Sequence, residues 1–87
     1  MSQLVLIVED DPKIAALVRK NLEAAGLSCV EAGDGVTAMR EVTARAPALI
    51  VLDLMIPGID GLEVCRRVRK ESQVPILMLT ARGTETD

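Results

Sequence analysis

The stretch Leu49-Ile50-Val51-Leu52-Asp53-Leu54-Met55-Ile56-Pro57-Gly58-Ile59-Asp60-Gly61 decides the fold. Its first four residues are a continuous aliphatic run, too short for a helix and rich in the branched residues that favour strands. Continuous apolar strands belong in a parallel sheet covered on both faces. The run stops abruptly at a carboxylate, Asp53. A Pro-Gly turn follows, and Asp60 with Glu63 then forms the pattern that opens a helix. A buried strand, an acid at its carboxyl end and a helix start make one β-loop-α unit of an α/β protein.

Working outward, the same grammar recurs. Leu4–Val8 and Ile76–Leu79 are further continuous apolar runs, and Ser28–Glu31 is a weaker, more polar strand suited to an edge. Asp11 caps a helix whose first position is Pro12, where a missing N–H costs nothing. Ile14, Leu17, Val18, Leu22 and Ala25 mark its inward stripe, with Gly26 at the left-handed stop. A second helix starts after Asp34-Gly35, with Val36, Met39, Val42 and Ala46 inward, and ends before Pro47. The third buries Val64, Cys65 and Val68 and leaves Arg66, Arg67, Arg69 and Lys70 outside. The order is β-α-β-α-β-α-β, a doubly wound α/β sheet with right-handed crossovers and helices on both faces.

Composition narrows the chemistry. The chain has 87 residues, 49% of them hydrophobic, which is one small globular domain rather than a disordered segment. It has no histidine and no aromatic residue. This excludes His-assisted nucleophiles, His-ligated metals and aromatic stacking on single-stranded nucleic acid. A net charge of −3 offers no electrostatic footprint for DNA or RNA, and four cations on one helix read as its solvated face. Cys29 and Cys65 lack the spacing of a zinc or redox pair and read as reduced apolar residues of a cytoplasmic protein. No apolar run approaches a membrane span.

What remains is acidic. The first strand runs into Glu9-Asp10-Asp11, the third into Asp53 and the fourth into Thr80. Ligands of open α/β sheets bind at the carboxyl ends of the strands. If strands one and three are neighbours, their carboxylates converge there. Two such charges about 4 Å apart repel by roughly 4 kcal/mol at an effective dielectric near 20. A hard divalent cation such as Mg²⁺ turns that cost into attraction, whereas protonation of one acid is the metal-free escape. Asp11 and Asp60 are explained as helix caps. Asp10 and Asp53 each lie at the end of a buried strand and are the better candidates.

Val8-Glu9-Asp10-Asp11, Val51 through Gly61 and Pro75-Ile76-Leu77-Met78-Leu79-Thr80-Ala81-Arg82-Gly83 together resemble the successive motifs of bacterial two-component response-regulator receiver domains. The resemblance runs from Leu4 to Asp87 and implies a flavodoxin-like sheet of strand order 2-1-3-4. It implies that Asp53 takes a phosphoryl group from a sensor histidine kinase, with Mg²⁺ held by Asp10, Asp53, Glu9 through a water, and the Met55 backbone carbonyl. Thr80 becomes the switch hydroxyl, and Pro57 and Gly58 shape the neighbouring loop. Receivers are signalling domains rather than enzymes, at most catalysing transfer to their own aspartate. The Leu79-Thr80-Ala81-Arg82-Gly83 ending is most similar to receivers of winged-helix transcription factors, whose DNA-binding domain would follow Asp87. Kinase docking would use the first helix, including Ile14 and Ala15.

Three features of the family are missing from the resemblance. The fifth strand with its lysine, the switch aromatic and the final helices have no counterpart in residues 1–87, and Lys13, Lys20 and Lys70 lie in helices away from the strand ends. The chain is therefore expected to be the N-terminal portion of a receiver domain. Its fourth strand then forms an apolar edge that favours a homo-oligomer or domain-swapped assembly. The rival reading is an interaction module that no longer takes phosphate. A haloacid-dehalogenase-like hydrolase is disfavoured because Met55 occupies the position of its second aspartate, and Gly33-Asp34-Gly35 reads as a turn and helix cap rather than a nucleotide-binding loop.

Overall fold

The computed structural model describes residues 3–79. Four strands, β1 (Leu4–Val8), β2 (Ser28–Ala32), β3 (Leu49–Asp53) and β4 (Ile76–Leu79), alternate with three helices, α1 (Pro12–Ala24), α2 (Gly35–Arg45) and α3 (Gly61–Glu71). All pairings are parallel and the order is β2-β1-β3-β4, as the resemblance implies. The strand order reverses between β1 and β3, which is where such sheets open a crevice at their carboxyl ends.

Successive side chains of a strand point to opposite faces, and β1 divides the core accordingly. Leu6 and Val8 join Ile50 and Leu52 beneath α2 and α3, which contribute Ala38, Val42, Val64 and Val68. Val5 and Ile7 join Val51 and Cys29 on the other face beneath Ala15, Val18 and Leu22 of α1. Helix starts follow the local chemistry. Asp11, Asp34 and Asp60 are N-caps, accepting from the backbone N–H groups of Lys13 (2.9 Å), Thr37 (2.7 Å) and Glu63 (3.0 Å). Gly26, at φ +92°, ends α1 in the left-handed conformation that an L side chain resists.

Some expected inward positions face solvent instead. Leu17 is 61% exposed, because the line that meets the sheet runs through Ala15, Val18 and Leu22, and a neighbouring residue is turned by about 100°. Val36 is exposed for the same reason, since Gly35, Ala38 and Val42 form the buried line of α2. Ala25 and Ala46 are exposed as well, both lying at helix ends. Ala15 is buried, so of the two α1 residues expected to dock a kinase only Ile14 is even partly accessible. The capping box of α3 is half formed, because the Glu63 carboxylate pairs with Arg66 and Arg67, each at 2.9 Å. Those pairs hold the basic residues on a solvated face. β4 is not covered on both faces among the described residues, where Leu77 and Met78 are exposed and only its β3 side is paired.

Candidate functional site

Parallel pairing of Val8 with Leu52 brings the residues that follow, Glu9 and Asp53, level at the carboxyl edge of adjacent strands. The Glu9 N–H continues the ladder by donating to the Ala32 carbonyl at 3.0 Å, so the backbone holding the acid is part of the sheet. Each carboxylate is then tied to its own strand end. Glu9 Oε2 accepts from the Asp11 N–H at 3.0 Å, and Asp53 Oδ1 accepts from the Met55 N–H at 3.1 Å. Glu9 is 5% exposed and Asp53 7%, while Asp10 is exposed.

One carboxylate oxygen from each of Glu9, Asp10 and Asp53 lies within 4.8 Å of the others. The ion pairs found among the described residues involve Arg19, Arg45, Arg66 and Arg67, and none reaches these three acids. Two buried carboxylates with no cationic partner are costly, because each is desolvated and each repels the other. The consequence is visible at Glu9. Burial holds its carboxyl above the ordinary range, with the charges of Asp53 and Asp10 adding and the Asp11 N–H bond opposing. A donor set made only of oxygens, gathered in a cluster that lacks positive charge, fits a hard cation of the Mg²⁺ kind.

The loop from Leu54 to Asp60 walls the site. Ile56 is buried in the core beneath α2 and α3, whereas the Met55 side chain is 62% exposed, leaving only its backbone beside Asp53. The loop closes through Gly61, whose N–H donates to the Leu54 carbonyl at 3.3 Å. A Cβ on Gly61 would lie 2.6 Å from Leu54 Cα and 3.0 Å from the Asp53 carbonyl oxygen, so a side chain there would collide with the Leu54 backbone and crowd that of the acid. Gly61 is a site-forming residue that residue chemistry alone does not single out. Its place one residue after the Asp60 cap was the available signal. Thr80 lies outside the described residues. Lys13 and Lys70 are exposed on helices and form no ion pair with the acids.

Elsewhere the structure offers less chemistry. Cys29 and Cys65 are both free, and burial pushes both thiols up, which makes them poor nucleophiles. No helix among the described residues is long and apolar enough to cross a membrane.

A family model for the response regulator receiver domain matches residues 5–87. The chain is 42% identical over 88 residues to the alkaline phosphatase synthesis transcriptional regulatory protein PhoP of Bacillus subtilis, covering 100% of this chain and 37% of PhoP. It thus spans well under half the length of that relative. The BeF3-activated N-terminal receiver domain of Klebsiella pneumoniae RstA superposes with a TM-score of 0.89 at 33% identity, covering 97% of this chain and 70% of that one. The receiver domain of the Pseudomonas aeruginosa sensor histidine kinase PA1611, solved with a magnesium ion coordinated in its active site cleft, gives 0.90 at 29% identity, covering 100% and 74%.

Proposed function

The chain belongs to the response regulator receiver domain family, and on that premise we propose that Asp53 accepts a phosphoryl group from the phosphohistidine of a sensor histidine kinase. The observation that carries the reading is the pair of buried carboxylates, Glu9 and Asp53, unpaired with any cation among the described residues, with exposed Asp10 beside them at the switch point of the sheet. Asp10, Asp53, the Met55 carbonyl and Glu9 through a water would hold Mg²⁺. When bound, the ion supplies positive charge to the phosphoryl oxygens, which is the main demand of this chemistry.

The remaining steps belong to the chain's own groups. An Asp53 carboxylate oxygen forms the new P–O bond as the P–N bond of the donor breaks, and the departing imidazole nitrogen takes up a proton. The Met55 N–H bond to Oδ1 fixes the carboxylate rotamer and leaves the other oxygen to attack. Thr80 is the proposed switch hydroxyl that reads the phosphoryl oxygens. Turnover is confined to the chain's own aspartate. As PhoP is a transcriptional regulatory protein, we assign the output to a DNA-binding domain after Asp87 in a longer cytoplasmic polypeptide. Residues 5–87 would be the receiver portion of it.

Incubation with Mg²⁺ and a small acyl phosphate tests this by intact mass. The expected result is a gain of one phosphoryl group that chelation of Mg²⁺ prevents and Asp53→Asn abolishes. No gain at saturating donor, or an equal gain in Asp53→Asn, rejects the assignment.

A further inference from the structure

Gly35 opens α2 and meets the β3–α3 loop at Pro57 and Ile59. Its N–H donates to the Pro57 carbonyl at 3.2 Å, which ties the start of α2 to the middle of that loop. Gly35 is buried, and a Cβ built on it would overlap the Ile59 carbonyl oxygen while lying 2.6 Å from Ile59 Cβ and 3.0 Å from Ile59 C. Ile59 cannot easily yield, because it packs against the core formed with α2 and α3. The α2 side of the contact is equally fixed. Asp34 caps the helix through the Thr37 N–H and hydroxyl, and the next turns are anchored by buried Ala38 and Val42. Helix propensity alone would favour Ala over Gly here, and the glycine conformation is not the left-handed one. The small residue is needed for space.

We infer that Gly35 is a positioning residue for the phosphoacceptor: its lack of a Cβ lets Ile59 pack against the start of α2, so that α2 clamps the 57–59 backbone and seats Met55 and Asp53. The inference rests on the proposed role of Asp53 and concerns how the same site is held. The chain of contact is short. Pro57 and Ile59 are pinned from α2, Leu54 is pinned from Gly61, and Met55 between them holds Asp53 Oδ1 through its N–H. A methyl at Gly35 pushes the loop away from α2 and moves the Met55 backbone relative to the carboxylate.

The test compares Gly35→Ala with two controls. Gly33→Ala removes a glycine from the same β2–α2 connection at a position where a Cβ meets nothing within 4 Å. Val5→Ala weakens the fold from the α1 face of the sheet, in a core cluster that holds none of the loop residues 54–60. The chain has no tryptophan to report by fluorescence, so amide chemical shifts are the readout. In metal-free Gly35→Ala the amides of residues 54–60 should shift, and Mg²⁺ affinity from the titration of those amides should fall roughly 10–100-fold, the usual cost of disturbing the groups that orient a metal site. Phosphoryl acceptance should slow at low Mg²⁺ and recover at high Mg²⁺. Gly33→Ala should match wild type, and Val5→Ala should lower the urea midpoint with unchanged Mg²⁺ affinity.

Unmoved loop amides in Gly35→Ala, or wild-type Mg²⁺ affinity despite moved amides, overturn the inference. So does an equal affinity loss in Val5→Ala, which would mean general destabilisation. If the wild-type chain itself takes neither Mg²⁺ nor phosphoryl, the proposed function falls first, and the metal-free amide shifts still decide whether Gly35 seats the loop.

Discussion

Replacing Glu9 by Gln should make the metal-free protein more stable. Glu9 and Asp53 are both almost fully buried, and their carboxylate oxygens lie within 4.8 Å. At that separation two unit charges repel by about 3.5 kcal/mol at an effective dielectric near 20, and by just under about 1 kcal/mol in bulk water. Gln keeps the oxygen that accepts the Asp11 N–H, removes the charge and presents an amide donor toward Asp53. The expected gain is about 1–3 kcal/mol in chelator at pH 7, which at a urea dependence of roughly 1–2 kcal/mol per M raises the midpoint by about 0.5–3 M. The pH dependence gives the sign independently. The folded-state carboxyl of Glu9 titrates above its unfolded value of 4.5, so its ionisation opposes folding. Metal-free stability should therefore fall as pH rises from that value through the folded one, and the fall should be shallower in Glu9→Gln. With saturating Mg²⁺ the ranking should narrow or invert, because wild type gains more from binding. Urea titration by far-UV circular dichroism, in chelator and in Mg²⁺, reads all of this. An unchanged or lower midpoint for Glu9→Gln in chelator would refute the account of the site as a repulsive cluster awaiting a cation.

Other perturbations separate packing from surface. Leu6→Ala empties a fully buried position beneath α2 and α3 and should cost about 2–5 kcal/mol, a large share of a small domain's stability, read from the same urea curves. Leu17→Ala should change stability by less than about 0.5 kcal/mol, because the side chain already lies in solvent; a large loss would contradict the inward line through Ala15, Val18 and Leu22. Asp34 is held below its ordinary carboxyl range by the Thr37 N–H and hydroxyl, so it stabilises the fold above its unfolded value of 3.8 and that contribution is lost as pH falls through the folded value. Asp34→Asn keeps the cap acceptor and should flatten this acid limb in pH-dependent unfolding.

Much of this protein was legible in the chain by itself, for reasons that are local. The runs Leu4–Val8 and Ile76–Leu79 are strands with those same bounds, and Asp11, Asp34 and Asp60 cap the helices they precede. Strand hydrophobicity and cap chemistry act over a few residues, so neighbours in sequence suffice to read them. The acids could likewise be placed at strand ends, and the motif resemblance paired them. Only the tertiary structure decided which face of each helix meets the sheet. Leu17 and Val36 are as apolar as Val18 and Val42, yet one residue of rotation, fixed by sheet twist and helix docking, leaves them outside. It also decided that Glu9 and Asp53 would be buried with no ion pair among the described residues, because that depends on how distant segments pack. The glycines show the division best. Gly35 reads as part of a turn and helix cap in the sequence and Gly61 only as part of a motif, while both lack a Cβ where Ile59 and Leu54, 24 and 7 positions away, pack against them. An absence of atoms has no local signature; it acquires meaning only when another segment packs into it.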